Sequence, residues 1–118
     1  MKIFPLSEGS FTIDQTKVFI PFDVRSDNLN ERPRGSLLVE IQPFLVVTDN
    51  DVILFDSGLG YSKHGVLQII ENLASAGFSS SDVTKVLMSH LHRDHAGGLI
   101  IKDTFSKKLF LTFPNANH

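Results

Sequence analysis

The spacing of apolar positions changes character several times along the chain, and each change predicts a different element. Across residues 3–22, short apolar bursts are broken by Ser7, Gly9, Asp14 and Pro21, which predicts two or three short strands of an antiparallel meander. Residues 23–35 are polar, contain Asp27-Asn28 and Pro33-Arg34-Gly35, and have no periodicity. They predict a long exposed loop, either a solvated connection or a cover over a substrate. Leu37, Val39 and Ile41 then alternate with Leu38, Glu40 and Gln42, a strand with one buried face that ends in a bend where Pro43 removes a ladder donor. Residues 44–48 and 52–55 are apolar runs on either side of Asp49-Asn50-Asp51, whose side chains suit a tight turn, so a β-hairpin is expected. Its second run, Val52-Ile53-Leu54-Phe55, is apolar on both faces and predicts a strand covered on both sides.

Beyond it the period lengthens. Val66, Ile69, Ile70, Leu73 and Ala74 fall on one face of an amphipathic helix, Gly77 stands where a left-handed cap belongs, and Phe78 can fold back onto the last turn. Val86-Leu87-Met88 predicts a short buried strand after the polar cluster at 79–82, and residues 108–113 predict one more strand ending at Pro114. Strands first, then strand, helix, strand and loop, make an α+β or layered α/β plan.

Composition narrows the class. With 118 residues, 42% apolar and 20% charged, residues 1–118 are expected to form a single domain with a core of its own. The net charge is -2 and the Lys and Arg residues are scattered, so neither nucleic acid nor an anionic membrane is an expected partner. No apolar run approaches the roughly 20 residues of a spanning helix, and the N-terminus has no signal-peptide pattern. A soluble, cytoplasmic protein is expected. Cysteine is absent, so any metal must be held by His, Asp or Glu.

The chemistry concentrates in His90-Leu91-His92-Arg93-Asp94-His95, three imidazoles and a carboxylate within six residues, just past a predicted strand. On an extended loop, His90 and His92 point the same way and can grip one cation, while Asp94 and His95 project from the following turn toward a second. The spacing therefore suggests two adjacent divalent-metal sites. Imidazole and carboxylate donors suit zinc, and also manganese, iron or cobalt. Gly97-Gly98 lets the backbone turn tightly behind the site. Arg93 reads as a solvent-facing residue, and His64 and His118, each isolated, as surface histidines.

The segment from His90 to Gly98 resembles the H-x-H-x-D-H signature of the metallo-β-lactamase superfamily. Upstream, Leu54-Phe55-Asp56-Ser57-Gly58 is similar to that family's apolar strand ending in Asp-Thr/Ser-Gly. The resemblance runs from about residue 37 to residue 113. It implies an αββα sandwich with metals at one edge of the two sheets, of which this chain would form the N-terminal half. Carried over residue by residue, His90 and His92 resemble ligands of a first ion, and Asp94 and His95 ligands of a second. Asp56 resembles the carboxylate that supports the histidine loop from behind the ligands; from the residues alone, an Asp capping the Ser57-Gly58 turn is equally open.

In that family each site takes a further histidine, and the pair shares an aspartate, all from a later half of the chain. After His95 this sequence offers only Asp103 and His118, at spacings that suit none of those roles. The expectation is that the chain is truncated, or that a second chain completes it, and that the 118 residues alone are inactive. In its complete form the resemblance implies a hydrolase. Two divalent ions roughly 3.5 to 4 Å apart hold a hydroxide of lowered pKa and polarise its target, with Asp94 both ligating and orienting the nucleophile. Small-molecule ester, lactone, thioester or amide substrates are expected, lactonases and glyoxalase II being most similar. A phosphodiesterase or nuclease of the same family is an alternative that the acidic balance disfavours. A non-catalytic metal-binding or interaction module is the alternative from another class.

Overall fold

The computed structural model describes residues 1–32, 34–89, 92–102 and 108–117, without the side chains of Arg93 and Lys102. Its elements are a mixture of strands and short helices, as the alternation of periods predicts. The strands β1 (Lys2–Pro5), β2 (Gly9–Ile13) and β3 (Ile20–Phe22) are all present, but they do not form one meander. β1 leaves to pair with β5 (Phe44–Val47) in one sheet, whereas β2 sits between β3 and β4 (Leu37–Ile41) in another. The switch of sheets takes place over Leu6, Ser7 and Glu8, whose ends are tied to the last residue of β4 and to Pro43 just beyond it. The Leu6 N–H donates to Pro43 O at 2.8 Å and the Glu8 N–H to Ile41 O at 2.7 Å.

The predicted hairpin is β5 with β6 (Val52–Phe55), in register from Phe44 opposite Phe55 to Val47 opposite Val52. β6 pairs in parallel with β9 (Lys85–Leu87), completing a four-stranded sheet of order β1-β5-β6-β9. A parallel pair needs a crossover, here a small hairpin and a helix. The hairpin joins β7 (Ser62–Lys63) to β8 (Val66–Leu67) through His64 and Gly65, both at positive φ, as a tight two-residue turn requires. This pairing takes Val66 out of the predicted helix, so α1 begins later, at Gln68–Ser75. Its end is as expected. Gly77 adopts φ 91°, its N–H and that of Phe78 close onto Ala74 O and Leu73 O, and the chain turns back.

α1 lies on one face of the four-stranded sheet. Ile69 and Leu73 from the helix meet Leu45, Leu54 and Val86 from β5, β6 and β9, with Leu6, Val83 and Phe113 closing the core. The opposite face carries a row of paired residues, Phe44, Phe55 and Leu87, that are 40%, 40% and 48% exposed. β6 is thus covered on one face among the described residues, not on both. A smaller core of Phe11, Ile41 and Leu59 joins the three-stranded sheet to the loop after β6, with Phe19 and Tyr61 edge-on to Phe11.

The described residues of the segment 23–35 are exposed, as predicted, with one short helical turn at Leu29–Glu31. The histidine segment is not an extended loop throughout, because Arg93–Ala96 forms one helical turn, α2. After it come β10 (Ile100–Lys102), which the sequence pattern did not predict, and β11 (Leu109–Leu111), shorter than expected. No described helix is long and apolar enough to cross a membrane.

Candidate metal centre

The parallel register of β6 and β9 ends both strands side by side, so the residues that follow them meet. The Asp56 N–H donates to Leu87 O at 2.9 Å, which continues the pairing one step past β6. There Asp56 turns out of the strand at φ 62°, a left-handed conformation that Asp tolerates better than most residues. Its carboxylate faces the residues after β9. Asp56 Oδ1 accepts from the Ser89 N–H at 2.8 Å and the Ser89 hydroxyl at 3.0 Å, and Oδ2 lies 2.8 Å from His95 Nδ1. Partial burial would raise the Asp56 carboxyl, but the Ser89 N–H, the His95 ring and the Ser89 hydroxyl outweigh it and hold the group below the usual carboxylate range. An ionised acceptor at that distance suits a hydrogen on Nδ1, which in the neutral ring puts the lone pair on His95 Nε2.

That nitrogen is 3.2 Å from Asp94 Oδ2. Two electron-pair donors thus converge at the start of α2, one ring nitrogen and one carboxylate oxygen, each a common ligand of divalent cations. The pair fits a cation: bound between them it would relieve the repulsion of the two lone pairs, which otherwise calls for a proton. His92 is exposed one turn earlier, where its carbonyl accepts from the His95 and Ala96 N–H groups. With Asp94 it lines a cavity of about 490 Å³ that Ile13, Lys17 and Phe19 close from the β2–β3 side. His90 and His118 lie outside the described residues, as does the Arg93 side chain. His64 is exposed at its turn, far along the chain from the cluster. Among the described residues no group of three or more His, Asp or Glu is placed to hold a metal.

The sequence pattern assigns no role to three residues at the site. Ser89 anchors Asp56. Ser57, fully buried, donates both its N–H (2.7 Å) and its hydroxyl (3.1 Å) to His95 O, so the turn after β6 grips α2 through backbone as well as side chain. Glu8 is the third. It is 6% exposed, Oε1 accepts the Leu59 N–H at 2.7 Å, and Oε2 has no hydrogen-bond partner among the described residues. Burial pushes its carboxyl up to about 7, against the lowering effect of the Leu59 hydrogen bond. Ser57 and Ser89 adjoin recognisable motifs and could have been suspected; nothing in the local pattern around Glu8 marks it.

The glycines behind the site serve close approach rather than a tight turn. A Cβ on Gly97 would overlap the Leu59 carbonyl, and one on Gly98 the Ser57 carbonyl, while the Gly97 N–H donates to Gly58 O at 2.8 Å. The backbone of 57–60 is packed directly on that of 96–98.

A sequence profile of the metallo-β-lactamase superfamily matches residues 40–101, more than half of the chain. The chain belongs to the metallo-β-lactamase superfamily. Solved structures of this superfamily agree with the fold. The chain is 30% identical to AidC, described as a dizinc quorum-quenching lactonase in complex with a product. That alignment covers 97% of this chain and 39% of AidC, with a TM-score of 0.64. A probable metal-dependent hydrolase from Staphylococcus aureus is 26% identical, covering 98% of this chain and 44% of its own, with a TM-score of 0.67. A quorum-quenching N-acyl homoserine lactone lactonase is 27% identical over 82% of this chain and 40% of its own, with a TM-score of 0.56. This superfamily chain therefore spans about two fifths of the length of the structures it matches. No curated protein matches it by sequence.

Proposed function

We propose that this chain supplies the histidine-loop side of a two-metal hydrolase that opens a lactone or ester of a small molecule. The observation that carries the reading is the Asp56–His95–Asp94 relay. Asp56 holds His95 Nδ1 at 2.8 Å, and in the neutral ring Nε2 then carries the lone pair, 3.2 Å from Asp94 Oδ2. Asp94 and His95 would hold one divalent ion, and His90 and His92 the other. Zinc is favoured, with manganese, iron or cobalt of similar donor preference. Ions so held supply an activated water and polarise the bond it attacks. Asp94, with a second carboxylate oxygen, is the residue proposed to orient that water. Asp56 acts behind the ligands, fixing the tautomer and plane of the His95 ring.

A catalytic zinc normally keeps three protein ligands, so further donors are required beyond these pairs. The exposed row Phe44, Phe55 and Leu87 supports the view that more polypeptide packs on that face and brings them, from a later segment or a second chain. The lactone preference draws on two observations. AidC and the homoserine lactone lactonase are similar in sequence as well as fold, and the cavity beside His92 and Asp94 is lined by Ile13, Lys17 and Phe19. An apolar acyl group suits the walls, and a carbonyl or carboxylate oxygen suits the ammonium.

The test is ring opening of an acylated lactone by the full-length protein before chelation, after chelation and after zinc is restored. Activity that disappears and returns supports the proposal; hydrolysis that survives complete removal of metal contradicts it.

A further inference from the structure

Leu59 is 6% exposed, so its N–H is shut off from water and must find an acceptor within the protein. The backbone around it cannot provide one of the usual kind. Asp56, Gly58 and Gly60 all stand at positive φ, at 62°, 77° and 79°, so the turn is neither strand nor helix. The acceptor comes from remote sequence, Oε1 of Glu8 at 2.7 Å, delivered by the segment in which the chain passes from one sheet to the other. Contact is close enough that a Cβ on Gly58 would overlap the Glu8 carboxylate.

The same turn holds α2 and the residue after it at three points. Asp56 Oδ2 meets His95 Nδ1, Ser57 donates twice to His95 O, and Gly58 O accepts the Gly97 N–H. Any slackening at Leu59 is therefore transmitted to the ring and backbone of His95 through groups on the adjoining residues. A turn with three left-handed residues in five has many alternatives once its buried N–H loses its acceptor.

We propose that Glu8 is a positioning residue of the metal centre, which, by accepting the Leu59 N–H, fixes the turn that aims His95 at its metal. The proposal rests on the reading of Asp94 and His95 as ligands. Glu8 touches neither ligand; it acts through Leu59, Gly58 and the Asp56–Ser57 pair. What the role requires is an acceptor oxygen at this reach, not a charge. Glutamine keeps that oxygen. Aspartate, one methylene shorter, withdraws it, and methionine fills the space with no comparable acceptor.

The experiment measures zinc affinity of the full-length protein by competition with a chromophoric chelator, for wild type and for Glu8→Gln, Glu8→Asp, Glu8→Met and His95→Ala, with thermal unfolding of each metal-free protein alongside. Glu8→Gln should stay within about 3-fold of wild type, whereas Glu8→Asp and Glu8→Met should lose about 10- to 100-fold, the range seen when support behind a ligand is removed. Should Glu8→Met fail to fold, the contrast of Asp with Gln decides. Wild-type affinity in Glu8→Asp, or an equal loss in Glu8→Gln, overturns the proposal, as does a fall in unfolding temperature with zinc affinity unmoved. If His95→Ala itself binds zinc as wild type does, the reading of the ligands has failed; if only that variant loses zinc, the ligands stand and the role of Glu8 is withdrawn.

Discussion

Burying Glu8 with one oxygen unpartnered among the described residues should leave a signature in the pH dependence of stability. Its carboxyl is pushed from an ordinary 4.5 up to about 7 in the folded protein. Below pH 4.5 the group is protonated in both folded and unfolded states and contributes no difference. Between 4.5 and 7 the unfolded chain releases the proton while the folded protein keeps it, so ionisation favours unfolding and stability falls as pH rises. The slope approaches about 1.4 kcal/mol per pH unit, and the loss levels off above pH 7 at about 3 kcal/mol, an order-of-magnitude figure. Glu8→Gln cannot titrate. Any cost of burying its amide N–H₂ is the same at every pH. The difference in unfolding free energy, variant minus wild type, should therefore increase by about 3 kcal/mol from pH 4.5 to pH 7.5. Asp14, Asp23, Asp51 and Asp56 have carboxyls held below their ordinary value, so their contributions are lost as pH falls, in the acid range and equally in both proteins. They cancel in the difference. Urea titrations of the full-length metal-free proteins at pH 4.5, 5.5, 6.5 and 7.5 measure it, provided the m-values agree. A difference that stays level to within about 0.5 kcal/mol would show that Glu8 ionises freely and refute the argument from burial.

Other outcomes follow from the same geometry. Asp56→Ala removes the acceptor at His95 Nδ1 and both Ser89 contacts, and should weaken zinc binding about 10- to 100-fold in a chelator competition. Gly97→Ala places a methyl against the Leu59 carbonyl and should destabilise by about 1–3 kcal/mol, the usual cost of overpacking, read from urea unfolding. Ser57→Ala deletes one of two donors to His95 O and should cost about 1 kcal/mol by the same method, since the backbone N–H remains. Purified residues 1–118 with added zinc should hydrolyse lactone, thioester and phosphodiester substrates well below about 1 per second, the low end of typical enzyme rates.

Elements governed by local pattern were legible in the sequence. The Asp49-Asn50-Asp51 turn fixed the β5–β6 hairpin, and the apolar stripe of Ile69, Ile70 and Leu73 with Gly77 behind it marked α1 and its end. Errors arose where pairing partners are distant. No local property tells β1 and β2 to join different sheets, because that depends on β5 and β4 being available much later in the chain. Val66 has helical spacing, yet the His64-Gly65 turn pairs it with Lys63 instead. The histidine-rich motif was readable because candidate metal ligands are dense and chemically specific. Its supports were not. Ser89 and Ser57 act through hydrogen bonds any serine could make, and Glu8 through an approach that only the folded chain creates.

The account turns on His95 being aimed at a divalent ion alongside Asp94. Elemental analysis of the full-length protein after exhaustive dialysis measures this most directly, for wild type and for His95→Ala and Asp94→Ala. The account predicts two divalent ions per chain in the wild type and the loss of at least one in each variant. Metal content unchanged in both variants would contradict it.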